Sequence, residues 1–342
     1  MPLEKALSII EVMFNYNAKA YSRLAYSRQV SIANRKMACF RLKSLSGSRL
    51  VYLRDYHTFG RRSDTVDTAI DSKCISKLHA IIEWRKPKWL IKDVSKNGVK
   101  LNSRVMPAQK FIALNVGDKI DFAGESEFTL SILDLDAPTS MLINQASPTK
   151  TIEITQSILL PNEETPELAL YRCHDHKQWF TEPIQQDREP LFHRNGDLIE
   201  FNDSVWEFLI IAIDDELDPA PRQTNLDEVA FRFGINPHKR STNLTLIKSG
   251  LEINLGDESH YSLLAHLVRS QSEQEDDSIW LNNQKVRREL GLSEAQMNLQ
   301  IFNARKQIEE ALPNVAGHSK LKERKRRELK VNIKNFEIYK EI

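Results

Sequence analysis

The sequence predicts a multidomain chain: an all-β sandwich, a second small β-rich domain, and a C-terminal α+β domain. Three observations predict it. At 342 residues the chain is too long for one small compact domain. Two polar, proline-punctuated stretches divide it: residues 134–150, with Pro138 and Pro148, and the acidic 214–227, with Pro219 and Pro221. The apolar residues alternate as in strands up to about residue 255 and then recur at helical spacing. The expected divisions are an N-terminal extension over 1–36, the first sandwich over 37–135, the β-rich domain over 151–214 and the α+β domain over 228–342.

The extension shows weak helical periodicity through Ala6, Ile9, Ile10 and Met13, and no acidic residue follows Glu11 until Asp55. An acid-poor, Arg- and Ser-bearing start fits an organellar transit peptide. It fits a docking helix or a translated extension equally, because Met37-Ala38-Cys39-Phe40 would itself open the sandwich naturally. A flexible or weakly helical extension is the expectation.

Within the first sandwich three strings stand out: Gly60-Arg61, Ser76-Lys77-Leu78-His79 and Ser95-Lys96-Asn97-Gly98. Ala80-Ile81-Ile82-Glu83-Trp84 follows the second string as a strand. Trp89-Leu90-Ile91-Lys92-Asp93-Val94 returns after a turn and leads into the third. The residue types suit a doubly charged anion. Arg61 offers a planar fork of N–H groups, Ser76 a hydroxyl donor and Lys77 a mobile point charge. Lys96 adds positive charge, and Asn97 carries both a donor and an acceptor for a peptide main chain. Gly98 allows the positive φ of a tight loop.

In that order and spacing the strings resemble the forkhead-associated (FHA) domain, a β-sandwich whose loops bind phosphothreonine peptides. The resemblance covers roughly residues 38–133, with Leu114–Ile120 and Phe128–Ile132 matching the closing strands. It implies phosphopeptide contacts from Arg61, Ser76, Lys77, Lys96 and Asn97. Structural roles in the loops fall to Gly60, His79 and Gly98. The partner implied is a phosphothreonine-containing protein, either a substrate of a Ser/Thr kinase or the kinase itself. Thr139 and Thr149 of the chain's own linker are further candidates for capture.

The β-rich domain carries an internal echo. Gly196-Asp197-Leu198-Ile199-Glu200-Phe201 repeats Gly117-Asp118-Lys119-Ile120-Asp121-Phe122, and Trp206–Ile210 repeats Phe128–Ile132. Leu168–Tyr171 and Trp179-Phe180 are expected as the matching hairpin. A shortened second FHA-like sandwich would explain the echo, but the three loop strings are missing, so no phosphate binding is assigned to it. Cys173-His174-Asp175-His176 collects ligand-type side chains. Consecutive residues on an extended chain alternate faces, however, and no second Cys/His pair completes a zinc site. A surface turn is expected there.

Beyond residue 228, three short strands (Val229–Phe233, Asn243–Ile247, Leu251–Leu255) precede a helical face at Tyr261, Leu263, Leu264, His266, Leu267 and Val268. A second helix spans Leu281–Leu290 and stops at Gly291. A third, capped by Ser293, runs to Leu312 before Pro313. The order resembles the winged-helix DNA-binding domain of bacterial two-component response regulators, with Met297–Glu309 following the recognition-helix pattern. That resemblance implies double-stranded DNA as a partner. Asn298, Gln300 and Asn303 would reach base edges, Arg305 and Lys306 phosphates or guanine, and Arg324, Lys325, Arg326 and Arg327 the phosphates through a basic hairpin. Phe302 and Asn303 depart from the pattern, standing where basic residues are common. The acidic Gln271–Ser278 is an insertion.

Composition excludes other classes. The net charge is +1 with 28% charged residues, so no global field marks a partner. The three cysteines, Cys39, Cys74 and Cys173, form neither a disulfide framework nor a paired metal motif, which fits a reducing compartment. No run approaches the ~18–20 apolar residues of a membrane span. A soluble cytoplasmic protein without membrane contact is expected, and a homodimer stays open. No Gly-rich phosphate loop, His-x-x-Glu string or nucleophile elbow appears, so neither enzyme activity, cofactor nor metal is expected. The combined expectation is a bacterial signal-transduction protein, a phosphothreonine-responsive transcriptional regulator. The alternative is a phosphothreonine-dependent adaptor without DNA binding.

Overall fold

The computed structural model describes residues 37–340, except 45–46, 124–127, 155–156, 174–177, 187, 212–223, 237–240, 274–279, 314, 318–320 and 326. The expected extension 1–36, His174–His176 of the Cys/His cluster, most of the 214–227 linker and Arg326 therefore lie outside the described residues.

The first unit is an eleven-stranded sandwich. Its strands are β1 (Cys39–Ser44), β2 (Gly47–Tyr52), β3 (Tyr56–Gly60), β4 (Thr68–Ala69), β5 (Ala80–Arg85), β6 (Lys88–Asp93), β7 (Val99–Leu101), β8 (Arg104–Val105), β9 (Phe111–Ala113), β10 (Lys119–Phe122) and β11 (Thr129–Asp134). One sheet runs β2-β1-β11-β10-β7-β8, the other β4-β3-β5-β6-β9. Period-two alternation builds the space between them. On β6, Trp89, Ile91 and Asp93 are buried while Lys88 is exposed, as a pleated strand with one covered face requires. Phe40, Phe59, Ile82, Ile91, Ile120, Phe122 and Leu130 complete the core, each large side chain contributing about 1.5–3 kcal/mol by leaving water.

The second unit comprises β12 (Met141–Asn144), β13 (Thr151–Glu153), β14 (Ile158–Leu160), β15 (Leu168–Cys173), β16 (Gln178–Pro183), β17 (Leu191–His193), β18 (Leu198–Phe201) and β19 (Ser204–Leu209). Its sheets run β13-β12-β19-β18 and β14-β15-β16-β17. Placed over the first sandwich, this is the same strand order with the counterparts of β4, β7 and β8 missing. The echo extends to hydrogen bonds. Gly117 N–H donates to Ile132 and Gly196 N–H to Phe208, both Gly having φ near +90°. In each turn an aspartate, Asp118 or Asp197, accepts from the backbone N–H three residues earlier at 2.7 Å. The second sandwich begins earlier than 151. Residues 134–150 were expected as linker, yet β12 lies within them because Met141 and Leu142 are buried between β13 and β19.

The C-terminal unit contains β20 (Thr224–Asn225), β21 (Ala230–Ile235), β22 (Thr242–Lys248), β23 (Leu251–Glu258), α1 (Ser259–Ser272), β24 (Leu281–Asn282), α2 (Asn283–Leu290), α3 (Glu294–Ala311), β25 (Val315–Ala316), β26 (Lys322–Lys325), β27 (Glu328–Val331) and β28 (Asn335–Lys340). These are the only α-helices among the described residues. The sheets run β23-β22-β21-β28 and β24-β27-β26. Helix α2 ends at Gly291 in the left-handed conformation, and α3 starts with a full capping box from Ser293 and Gln296. Strand β28, not foreseen in the sequence, passes beyond the β26–β27 hairpin and returns parallel to β21. Its side chains are half-buried or exposed, so it carries little apolar pattern.

The three units touch. Met37 and Tyr52 pack with Met141, Leu209 and Ile211 between the sandwiches, and Tyr52 Oη donates to Pro148 O at 2.9 Å. A separate cluster of Leu159, Ala169, Ile184 and Phe302 joins the second sandwich to α3.

Candidate functional site

The three strings of the first sandwich occupy neighbouring loops, tied together by backbone bonds. Arg61 N–H donates to Ser76 O at 2.9 Å, which sets the β3–β4 loop beside the loop before β5. Gly60 makes this approach possible. A Cβ there would lie 2.0 Å from Lys77 O, so no larger residue fits unless the loop moves.

His79 is fully buried beneath the loops, edge-on to Phe122. Its Nδ1 accepts from Ser76 N–H at 3.0 Å, and Nε2 reaches Gly98 O at 3.2 Å. The Nδ1 acceptor role leaves the proton on Nε2, so the ring is neutral. Burial, the dominant cause, holds its pKa below the usual histidine value despite the opposing Gly98 carbonyl and Asp93. One imidazole therefore braces the second loop against the third.

The third loop is shaped by Asp93 and Ser95, for which the strings themselves imply no role. Buried Asp93 accepts from Ser95 N–H at 2.8 Å and Val99 N–H at 3.1 Å, and Ser95 Oγ accepts from Gly98 N–H at 2.8 Å. The sequence signal was Asp-x-Ser at a strand end, an Asx turn. Gly98 has φ of +81°, the left-handed conformation that glycine adopts most readily.

The side chains left over are donors and cations. Ser76 Oγ accepts from Lys96 N–H at 3.1 Å, and a hydroxyl so used keeps its own O–H to give. Asn97 Nδ2 donates to Cys74 O at 2.7 Å. This anchors the amide and leaves its carbonyl oxygen and second N–H for another chain. Arg61, Lys77 and Lys96 are exposed and make no ion pair with any described residue. Neighbouring Arg62 differs, since Asp64 holds it. The loops thus present three cations and a hydroxyl donor without a resident anion among the described residues.

The residues expected to meet DNA are placed very differently. Gln300 and Asn303 are half-buried on α3, Lys306 reaches Glu163 at 3.3 Å, and Lys325 and Arg327 are exposed on the hairpin. Asn298, Arg305 and Arg324 instead face the second sandwich: Asn298 and Arg305 are buried, and the Arg324 side chain is 8% exposed. Asn298 Nδ2 donates to Ile184 O at 3.0 Å. Arg305, Lys322 and Arg324 surround Glu182 of β16 at 3.9, 3.5 and 3.1 Å. The Arg305 guanidinium also lies 4.5 Å above the Tyr171 ring, and Arg324 bonds Asn298 Oδ1. Burial pushes the Glu182 carboxyl up, but the three cations outweigh it and hold it below the usual value. Burial pushes Lys322 down to about 7, against the pull of Glu182. Nothing local marked Glu182, whose partners lie more than 120 residues away along the chain.

Comparison with known proteins now bears on the first site. The family model for the FHA domain matches residues 57–123. Among curated proteins no sequence matches the chain. Three similar solved structures are the MEK1 FHA domain with a HOP1 phosphothreonine peptide, the FHA domain of an Arabidopsis thaliana protein, and Mycobacterium tuberculosis EmbR with a low-affinity phosphopeptide. They are 18%, 24% and 23% identical over 28%, 30% and 35% of this chain, and the aligned regions cover 97%, 91% and 31% of those chains. The TM-scores are 0.24, 0.26 and 0.26, too low to carry a functional argument. The matched span of the family model takes in all three loop strings and the histidine beneath them. Residues 57–123 of this chain form an FHA domain.

Proposed function

We propose that this protein is a phosphothreonine-responsive regulator in Ser/Thr-kinase signalling, with the FHA domain as input and the C-terminal unit as a DNA-binding winged helix. The observation that carries the input is the group of exposed cations, Arg61, Lys77 and Lys96, without an ion pair among the described residues, around the Ser76 hydroxyl in a family that binds phosphothreonine peptides of partner proteins. A phosphothreonine bears nearly two negative charges and strong acceptor oxygens. Arg61 would clasp the phosphate, Ser76 and Lys77 would complete its coordination, and Asn97 would hold the peptide main chain. Binding and release suffice; no catalytic step or cofactor takes part.

The output reading is supported by element order. A β21–β23 sheet, α1, β24, the α2–α3 pair and the β26–β27 hairpin follow one another, and β24 joins the hairpin in a three-stranded sheet. Lys325 and Arg327 are exposed at the hairpin. A phosphothreonine-dependent adaptor without DNA binding is the second reading, favoured by the burial of Asn298 and Arg305 and the pairing of Arg324 with Glu182.

Anisotropy titration of a phosphothreonine peptide library with the full chain tests the input. The Arg61→Ala variant should bind about 10–100-fold more weakly, the loss of one charge-assisted hydrogen-bond donor. Equal binding of phosphorylated and unphosphorylated peptides would end the reading. Titration of pooled genomic duplexes at two salt concentrations tests the output. Salt-sensitive binding that a Lys325→Ala/Arg327→Ala variant loses supports DNA; its absence in the presence of phosphopeptide favours the adaptor.

A further inference from the structure

We propose that the second sandwich is a built-in mask over the nucleic-acid face of α3 and the β26–β27 hairpin, with Glu182 seated where a DNA phosphate would sit. The inference rests on the DNA-binding reading of the C-terminal unit. It starts from the two faces of α3. Met297, Ile301, Ala304 and Ile308 enter the C-terminal core. Asn298, Phe302, Arg305 and Glu309 follow at i, i+4, i+7 and i+11 and so share a second face, turned about 100° from the first. Every one of these four engages the second sandwich. Asn298 bonds Ile184 O, Phe302 packs with Leu159, Ala169 and Ile184, Arg305 meets Glu182 and Tyr171, and Glu309 accepts from Ser157 Oγ at 3.2 Å.

The contact is made of groups that also suit water. Three cations face one carboxylate, and desolvating such an assembly offsets much of its Coulomb attraction. The apolar part is limited to a small cluster on either side of Phe302. Opening rehydrates four charges and frees Lys322, Arg305, Arg324 and Asn298 together, a set of donors matched to phosphate and base edges. Closing covers all four at once. A single carboxylate in the place of a phosphate is what makes one surface able to accept either the sandwich or a duplex.

The test uses the full chain with two substitutions on the sandwich side, Glu182→Gln and the milder Ile184→Ala, neither of which alters the DNA face. Far-UV circular dichroism checks that both fold. Two quantities are read: acylation of Lys322 by an amine reagent, located by peptide mass mapping, and affinity for pooled genomic duplexes by anisotropy. The expected result is a Lys322 shielded in the unaltered chain and labelled in the variants, with DNA affinity rising. A chain open about one-tenth of the time gains about tenfold when the mask is removed. If Lys322 becomes labelled but DNA affinity stays equal across all three proteins, the mask is refuted and DNA binding stands. If Lys322 becomes labelled and no form binds DNA, the DNA reading fails and the mask falls with it. Full labelling of Lys322 in the unaltered chain also overturns the proposal, because the contact would then not be closed.

Discussion

His57 shows how much one buried side chain can set. Its ring packs against both Phe40 and Phe59, Nε2 meets Thr68 Oγ1 at 2.8 Å, and Nδ1 accepts from Arg54 N–H at 3.2 Å. Protonating Nδ1 would turn one donor against another. Burial, with a smaller contribution from Arg54 and against Asp67, pushes its pKa down to about 4. A histidine depressed in the folded state is protonated first in the unfolded chain, so stability falls as pH drops from about 6.5 towards about 4. The loss attached to His57 should be about 3 kcal/mol. Buried His79 and His193 shift in the same direction. Thermal unfolding from pH 7 to 4 should show a steep loss that His57→Gln makes shallower; parallel profiles would remove His57 from the account.

At the scale of elements, short-range chemistry was readable. Ser293 Oγ accepts from Gln296 N–H and Gln296 Oε1 accepts in turn from Ser293 N–H, the two halves of a capping box. Asn282 caps α2 and Gly291 ends it. Ser293→Ala should destabilise the C-terminal unit by about 1 kcal/mol, read as a lower unfolding midpoint; an unchanged midpoint would mean that tertiary packing alone holds the helix start. The Gly117 and Gly196 turns repeat for a similarly local reason, an aspartate closing on a backbone N–H three residues earlier. Strand β12 escaped notice because Pro138 and Pro148 bracket it, and β28 because its pattern is too weakly apolar to declare a covered face.

Across the whole molecule the contact of α3 with the second sandwich should depend on pH. Lys322 titrates near 7 in the closed chain, where Glu182 from β16, Arg305 from α3 and Arg324 from β26 face it and the Tyr171 phenol, raised to about 12, stays neutral. Exposed, the same amine would return to its ordinary 10.5. The open chain then holds more protons between about 7 and 10.5, and closing releases one. Closure should therefore strengthen with rising pH over that window, by up to about tenfold per pH unit, and level off below 7. A donor–acceptor dye pair across the two units reads this directly. Lys322→Met, with no charge to desolvate, should close more firmly and lose the pH slope. A slope that survives in this variant would assign the effect to another group.

The sequence by itself determined the loops of the FHA domain, the end of α2 at Gly291, the start of α3 at Ser293 and the echo between the sandwiches, because each is written within a few residues; the start of α2 was not, since Leu281 and Asn282 form β24 against the hairpin. Glycine at 60 and 98, the Ser-x-x-His string and the Ser293 cap act on neighbours in the chain. Tertiary structure alone decided what α3 faces. Asn298 and Arg305 look like part of a free recognition surface in one dimension, and only the fold brings Ile184 and Glu182 against them. Helical periodicity tells which residues share a face. Which other surface covers that face depends on contacts between residues more than 100 positions apart, and no local pattern encodes them.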